Sequence, residues 1–174
     1  MNEPARPFIA NAVARRLFLA RHGLSGVGSS GGIVGLASLI DQLGFVQIDS
    51  VNTVERAHHM ILAARMASYR PANLQTLAER RRGLFEHWTH DASFIPIEFY
   101  PHWRYRFARD KARLAERWAK WRRDGFADKF DDVLNHIAKN GPTMARDLGE
   151  DEAKSNQGWW DWHPSKTALE YLWR

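Results

Sequence analysis

The chain has 174 residues, 44% hydrophobic and 26% charged, with a net charge of +5. This is room for one full domain plus a remnant, or for two small ones, with enough apolar material for a packed core, so disorder is not the default reading. The absence of cysteine excludes disulfide scaffolds, thiolate zinc sites, iron–sulfur clusters and cysteine nucleophiles. No apolar run reaches the ~20 residues of a membrane span, and Met1-Asn2-Glu3-Pro4-Ala5-Arg6-Pro7 lacks the pattern of a secretory signal, so a soluble cytoplasmic protein is expected.

Residues 9–21 predict a helix, with Val13, Leu17 and Ala20 at helical spacing and Gly23 as its stop. A glycine-rich loop, Gly26-Val27-Gly28-Ser29-Ser30-Gly31-Gly32, follows. It comes after a helix and is not followed by Gly-Lys-Ser/Thr, so it reads as a plain loop and not as a phosphate cradle. A second helix is expected over 36–43, a short strand over 45–49, and helices over 54–65 and 73–82. A second strand is expected over 84–88. Helices with short strands in about 90 residues fit a helix-turn-helix or winged-helix arrangement better than a parallel sheet.

Residues 99–123 predict one long helix, interrupted near its start by Pro101. Between Pro101 and Asp124 nine basic residues face three acidic ones, a surplus of six. Arg104, Arg106, Arg109, Arg113, Arg117 and Lys120 are candidates for DNA-backbone contacts, because guanidinium and ammonium groups neutralise phosphates. Trp103, Tyr105, Phe107, Trp118 and Trp121 are interleaved with them and could equally pack inward, which would make this helix a spacer between domains. A helix over 126–139, a turn at Asn140-Gly141-Pro142, a short helix from Thr143 and a last helix beginning at Pro164 repeat the helix-turn-helix order. The expected fold is mainly α with short β-strands: a first winged-helix-like module over 1–98, a basic aromatic connecting helix over 99–124, and a second module over 125–174 that ends before its wing.

Gln47-Ile48-Asp49 is the most informative tripeptide. In a strand, residues two apart share a face, so Gln47 and Asp49 would stand side by side with Ile48 packed behind. A carboxylate beside an amide can orient a water molecule and stabilise a developing cation. The plainer alternative is that Asp49 hydrogen-bonds the turn that follows it. His58-His59, His87 and His90 do not complete a familiar zinc pattern, and no metal or other cofactor is expected.

Three segments, in order, carry a resemblance. They are Val46-Gln47-Ile48-Asp49-Ser50-Val51-Asn52 with Ala57-His58-His59; Leu84-Phe85-Glu86-His87-Trp88-Thr89-His90-Asp91-Ala92-Ser93; and Gly158-Trp159-Trp160-Asp161-Trp162-His163-Pro164-Ser165-Lys166. Together they resemble the winged-helix DNA glycosylases that unhook interstrand crosslinks, the AlkZ/YcaQ type. The resemblance covers nearly the whole chain but only the N-terminal part of that family. It implies a DNA repair enzyme acting on double-stranded DNA in the bacterial nucleoid, expected to be a monomer; no lysine lies near Gln47-Ile48-Asp49 to form a Schiff base, so a monofunctional enzyme without strand cleavage is expected. Such an enzyme hydrolyses the N-glycosidic bond of alkylated purines, chiefly N7-alkylguanine and its crosslinked forms. It implies Gln47 and Asp49 as the catalytic Gln-x-Asp pair. His58, His59, Glu86 and His90 become supporting or DNA-contacting residues, and Lys166 a further backbone contact. The rival expectation is a non-catalytic winged-helix DNA binder, such as a transcription regulator, which would share the fold.

Overall fold

The computed structural model describes residues 8–26, 31–120, 126–149, 152 and 163–174. The chain forms two compact units, Met1–Pro101 and His102–Arg174.

In the first unit, α1 (Asn11–Arg21) precedes α2 (Gly32–Leu43). α2 ends at Gly44, whose φ of 82° is open to glycine at little cost and lets its N–H return to the Ile40 carbonyl at 2.9 Å. Strand β1 (Val46–Gln47) follows, then α3 (Ala57–Ala63) and α4 (Pro71–Gln75), which starts on a proline. α4 runs into a wider π-turn, Thr76–Arg80, closed by the Arg81 N–H on the Thr76 carbonyl at 2.9 Å. The hairpin β2 (Leu84–Trp88) and β3 (Ala92–Pro96) completes the unit. All pairing is antiparallel in the order β1-β3-β2, with Val46 opposite Phe94 and Gln47 opposite Ser93. On the other edge of β3, His87 faces Ser93 and Glu86 faces Phe94.

One core holds these elements. Leu36, Leu39 and Ile40 of α2 meet Leu62 of α3, Leu74 of α4, Leu77 of the π-turn and Val46 and Leu84 of the sheet. Gly83 permits the closure, because a Cβ there would stand 2.8 Å from the Leu77 side chain. Burial of this apolar surface, at about 25 cal/mol per Å², anchors β1 on α2 and α3.

The second unit contains α5 (Tyr100–Lys120) from His102 onward, α6 (Phe130–Asn140) and α7 (Pro164–Trp173). Val133, Leu148 and Ala168 are its buried centre, with Phe130, Ile137 and Leu169 packed around them. Trp118 of α5 lies edge-on to Tyr171 at 5.2 Å and against Phe126 at 5.6 Å, while Phe130 stacks on Tyr171 at 5.0 Å.

Several expectations change. The helix expected over 54–65 is shorter, because residues 50–56 form an exposed loop and Arg56 is still extended at the helix start. The helix expected over 73–82 divides into α4 and the π-turn. Pro101 does not interrupt α5: in the first helical turn its missing N–H has no partner to lose. β3 was not anticipated. Residues 27–30, 121–125 and 153–162, including Trp159, Trp160 and Trp162, lie outside the described residues.

Candidate active site

β1 is an edge strand, and the Gln-x-Asp motif straddles its end. The ladder continues one residue beyond Gln47, through the Ile48 N–H on the Ala92 carbonyl at 2.7 Å. Gln47 is therefore flanked by hydrogen-bonded positions and faces Ser93 as a non-hydrogen-bonded pair, the kind in which side chains approach closest. Ser93 is fully buried, and its hydroxyl lies 2.8 Å from the Thr89 hydroxyl and 3.0 Å from the Asp91 carbonyl, to which it donates. The Asp91 carboxylate accepts the Ala92 N–H at 2.8 Å and tightens the same three-residue hairpin tip. The sheet thus brings the second quoted sequence segment against the first.

Asp49 is held twice. Its Oδ1 accepts the Val51 N–H at 2.8 Å, an Asx turn that carries the chain out of the strand. Its own N–H donates to Nδ1 of His58 at 3.2 Å. Among the described residues the carboxylate makes no other hydrogen bond, and the side chain is half-buried. Extended geometry alone therefore does not set Asp49: the turn and the imidazole do.

His58 is 4% exposed, in the first turn of α3. Its pKa lies below the ordinary imidazole value of 6.5, first because burial disfavours the cation, then because of His59 and Arg56, with Asp49 and Glu55 opposing. A neutral ring that accepts at Nδ1 carries its proton on Nε2. His59 continues the arrangement, with Nδ1 2.6 Å from the Tyr69 hydroxyl. Burial, and secondarily Glu55, push the Tyr69 phenol up, so the hydroxyl paired with His59 stays protonated. Sequence reading named His58 and His59 as supporting candidates, but it did not find the link from Asp49 to His58, or Tyr69.

Glu86 stands opposite Phe94 on β2, and its carboxyl is pushed up, first by withdrawal from water and then by Glu79, although the residue keeps much of its surface in solvent. His90 is exposed at the hairpin tip, while His87 is buried in β2. Among the described residues no three His, Asp or Glu side chains cluster as a metal would require.

A model of the family described as DNA glycosylase AlkZ-like matches residues 40–174. The chain belongs to the AlkZ-like DNA glycosylase family. The matched region of this AlkZ-like glycosylase includes Gln47, Asp49, both histidines of α3 and the entire hairpin. No solved structure matches the chain.

In the second unit of the AlkZ-like protein the basic residues of α5 are not equivalent. Arg109 forks onto Asp110 with bonds of 2.8 and 3.0 Å, and Arg106 and Arg113 lie 3.8 and 3.9 Å from the same carboxylate. The Arg109 hydrogen bond holds the Asp110 carboxyl below its ordinary range, with the charges of all three arginines adding to it. Arg104 and Arg117 are exposed, and the side chain of Lys120 lies outside the described part. The Lys166 backbone N–H donates to His163 Nδ1 at 3.1 Å, at the start of α7. No helix among the described residues is long and apolar enough to cross a membrane.

Proposed function

We propose that this AlkZ-like glycosylase hydrolyses the N-glycosidic bond of alkylated purines in double-stranded DNA, chiefly N7-alkylguanine including crosslinked forms, with Asp49 and Gln47 as the working pair. The observation that carries this reading is the double fixing of Asp49. One carboxylate oxygen and the backbone N–H are engaged, and among the described residues the second oxygen has no partner, which leaves it for a substrate or water. N7 alkylation places positive charge on guanine and makes it a good leaving group, so little acid assistance is needed. The remaining demands are a stabilised oxocarbenium-like sugar and an activated water. A fixed carboxylate meets both, by electrostatic complementarity and as a proton acceptor. Gln47, presented by the sheet beside Ser93, supplies an amide that can hold the water or sugar.

The first 110 residues contain no lysine, so the unit carrying Asp49 offers no side-chain amine for a Schiff base. This favours a monofunctional reaction that leaves an abasic site without strand cleavage. The order helix, strand, two helices and hairpin in the first unit, with β1 beside β3, supports the winged-helix reading of that module. Exposed cations of α5, Arg104 foremost, would add phosphate contacts, and action on DNA places the protein with the nucleoid.

The test is incubation of the full-length protein with duplex DNA containing N7-methylguanine, followed by alkaline cleavage to reveal abasic sites. Wild type should release the base and Asp49→Asn should not keep pace. Tight DNA binding without abasic sites from either protein would establish the non-catalytic binder instead.

A further inference from the structure

We propose that His58 is a positioning residue for hydrolysis, holding Asp49 through a neutral imidazole and losing that hold when the ring is protonated. This rests on the reading of Asp49 as the carboxylate that assists the reaction.

The geometry is specific. β1 is only two residues long, and the loop over residues 50–56 is exposed throughout, with Val54 89% exposed. The sheet therefore stops controlling the chain at Ile48, one residue before Asp49. What fixes the Asp49 backbone from beneath is Nδ1 of His58, delivered from the rigid first turn of α3 and itself buried. Leu62, one turn further along α3, is fully buried in the core that also contains Val46 of β1. His58 thus ties the reactive carboxylate to the best-packed part of the unit.

Only one protonation state can do this. Neutral imidazole can accept at Nδ1, whereas imidazolium donates at both nitrogens and cannot receive the Asp49 N–H. The groups facing the ring are Asp49 from the end of β1, Glu55, Arg56 and His59 along its own segment, and the edge of Phe94 from β3 at 6.3 Å. Asp49 and Glu55 favour protonation; burial, His59 and Arg56 oppose it and prevail. At neutral pH the ring is an acceptor, and acid strong enough to protonate it removes the acceptor.

Two substitutions separate this role from packing. His58→Asn places an amide oxygen near the position of Nδ1 and keeps an acceptor that does not titrate. His58→Phe keeps the ring and removes the acceptor. In single-turnover excision of N7-methylguanine by the full-length protein, His58→Phe should be slower by roughly 10- to 100-fold, the scale of a misplaced reacting group. His58→Asn should stay within a few-fold at pH 7.5, and both should bind DNA as wild type does. Wild type should lose rate only at pH values beneath the ordinary imidazole value of about 6.5, because burial holds the His58 pKa below it, and His58→Asn should lack that limb. Packing alone would not produce this difference. Equal rates for His58→Phe and wild type, or the same acid limb in His58→Asn and wild type, would overturn the proposal. NMR of the wild-type His58 ring reads the hold without catalysis. It should show the Nε2–H tautomer and an Asp49 amide signal that titrates with the ring; the Nδ1–H tautomer would overturn the hold. A wild type that forms no abasic sites while the NMR result stands would refute the glycosylase reading and the catalytic role of His58, and leave the structural link intact.

Discussion

Replacing Glu152 with Gln should abolish an acid-dependent component of stability in the second unit. Glu152 Oε1 accepts the Ser165 hydroxyl at 2.7 Å and lies 3.3 Å from the Lys129 ammonium; Oε2 accepts the Ser165 N–H at 2.9 Å and lies 3.1 Å from His163 Nδ1. The site admits no bulk, since a Cβ on Gly149 would collide with the His163 ring. Burial opposes ionisation of Glu152, but the two Ser165 bonds and the Lys129 ammonium outweigh it and bring the carboxyl from 4.5 down to about 2. The side chain is 16% exposed, so solvent screening is limited. At 1.36 kcal/mol per pKa unit, the difference corresponds to about 3 kcal/mol. A depressed folded pKa means that this stability is present above pH 4.5 and is lost as pH falls from 4.5 towards 2. Urea unfolding followed through α7 amide signals at pH 7, 4.5 and 3 would measure it. Wild type should weaken over that interval. Glu152→Gln should begin weaker at pH 7, by the roughly 1.5–3 kcal/mol of hydrogen bonds to a charged group. It should then change less with acid, the other carboxylates being common to both proteins. Parallel pH profiles for the two proteins would refute the assignment.

The remaining predictions concern DNA and catalysis. Asp49→Asn retains an acceptor for the Val51 N–H and should unfold within a few tenths of a kcal/mol of wild type. Its single-turnover excision should nevertheless fall by about 10²–10⁴-fold, the usual scale of general-base assistance. Asp49→Ala should add a stability loss of about 1 kcal/mol from the vacated turn, measurable by urea unfolding. Replacing Arg113, Arg117 and Lys120 together with Ala should weaken binding to all sequences alike. In a fluorescence-anisotropy titration against salt it should flatten the log–log slope by about 3. Arg109→Ala alone should change that slope less than Arg104→Ala, because Arg109 is already engaged by Asp110.

Much of this was legible because strong local rules agreed with the tertiary outcome. Gly44 stops α2, Pro164 opens α7, and the strand expected over 84–88 is β2. Gln47 and Asp49 stood out through spacing. Ala92-Ser93-Phe94-Ile95-Pro96 did not read as a strand, since its proline and two small residues give a weak pattern and it is paired on both sides by the sheet itself. The π-turn was hidden for a different reason: Thr76 to Arg80 has ordinary helical residues, and nothing in their type distinguishes a π-turn from a continued α-helix. The hold of His58 on Asp49 is a long-range placement that neither residue type nor spacing encodes. The Arg-rich face of α5 was visible, but its partial neutralisation by the single Asp110 required side-chain geometry.

α1 contributes little to the first unit's cohesion. None of its residues is buried, and Val13, Leu17 and Phe18 stand in solvent. Its end is fastened by the Gln42 amide on the Ala20 and Arg21 carbonyls, at 3.2 and 3.3 Å, and by Arg65 on the His22 carbonyl at 2.7 Å. An 11-residue helix is below the ~12–15 residues at which isolated helices become marginally stable. Among the described residues its C-terminal moorings are what hold it, and it frays from its N-terminal end. Its amides should exchange hydrogen far faster than those of Leu36 to Ile40, whose exposure requires the whole unit to open. Trypsin should cut first at Arg15, Arg16 and Arg21, trimming the chain towards residue 40, where the family match begins, while the Gln47–Asp49 segment and its supporting helix stay folded.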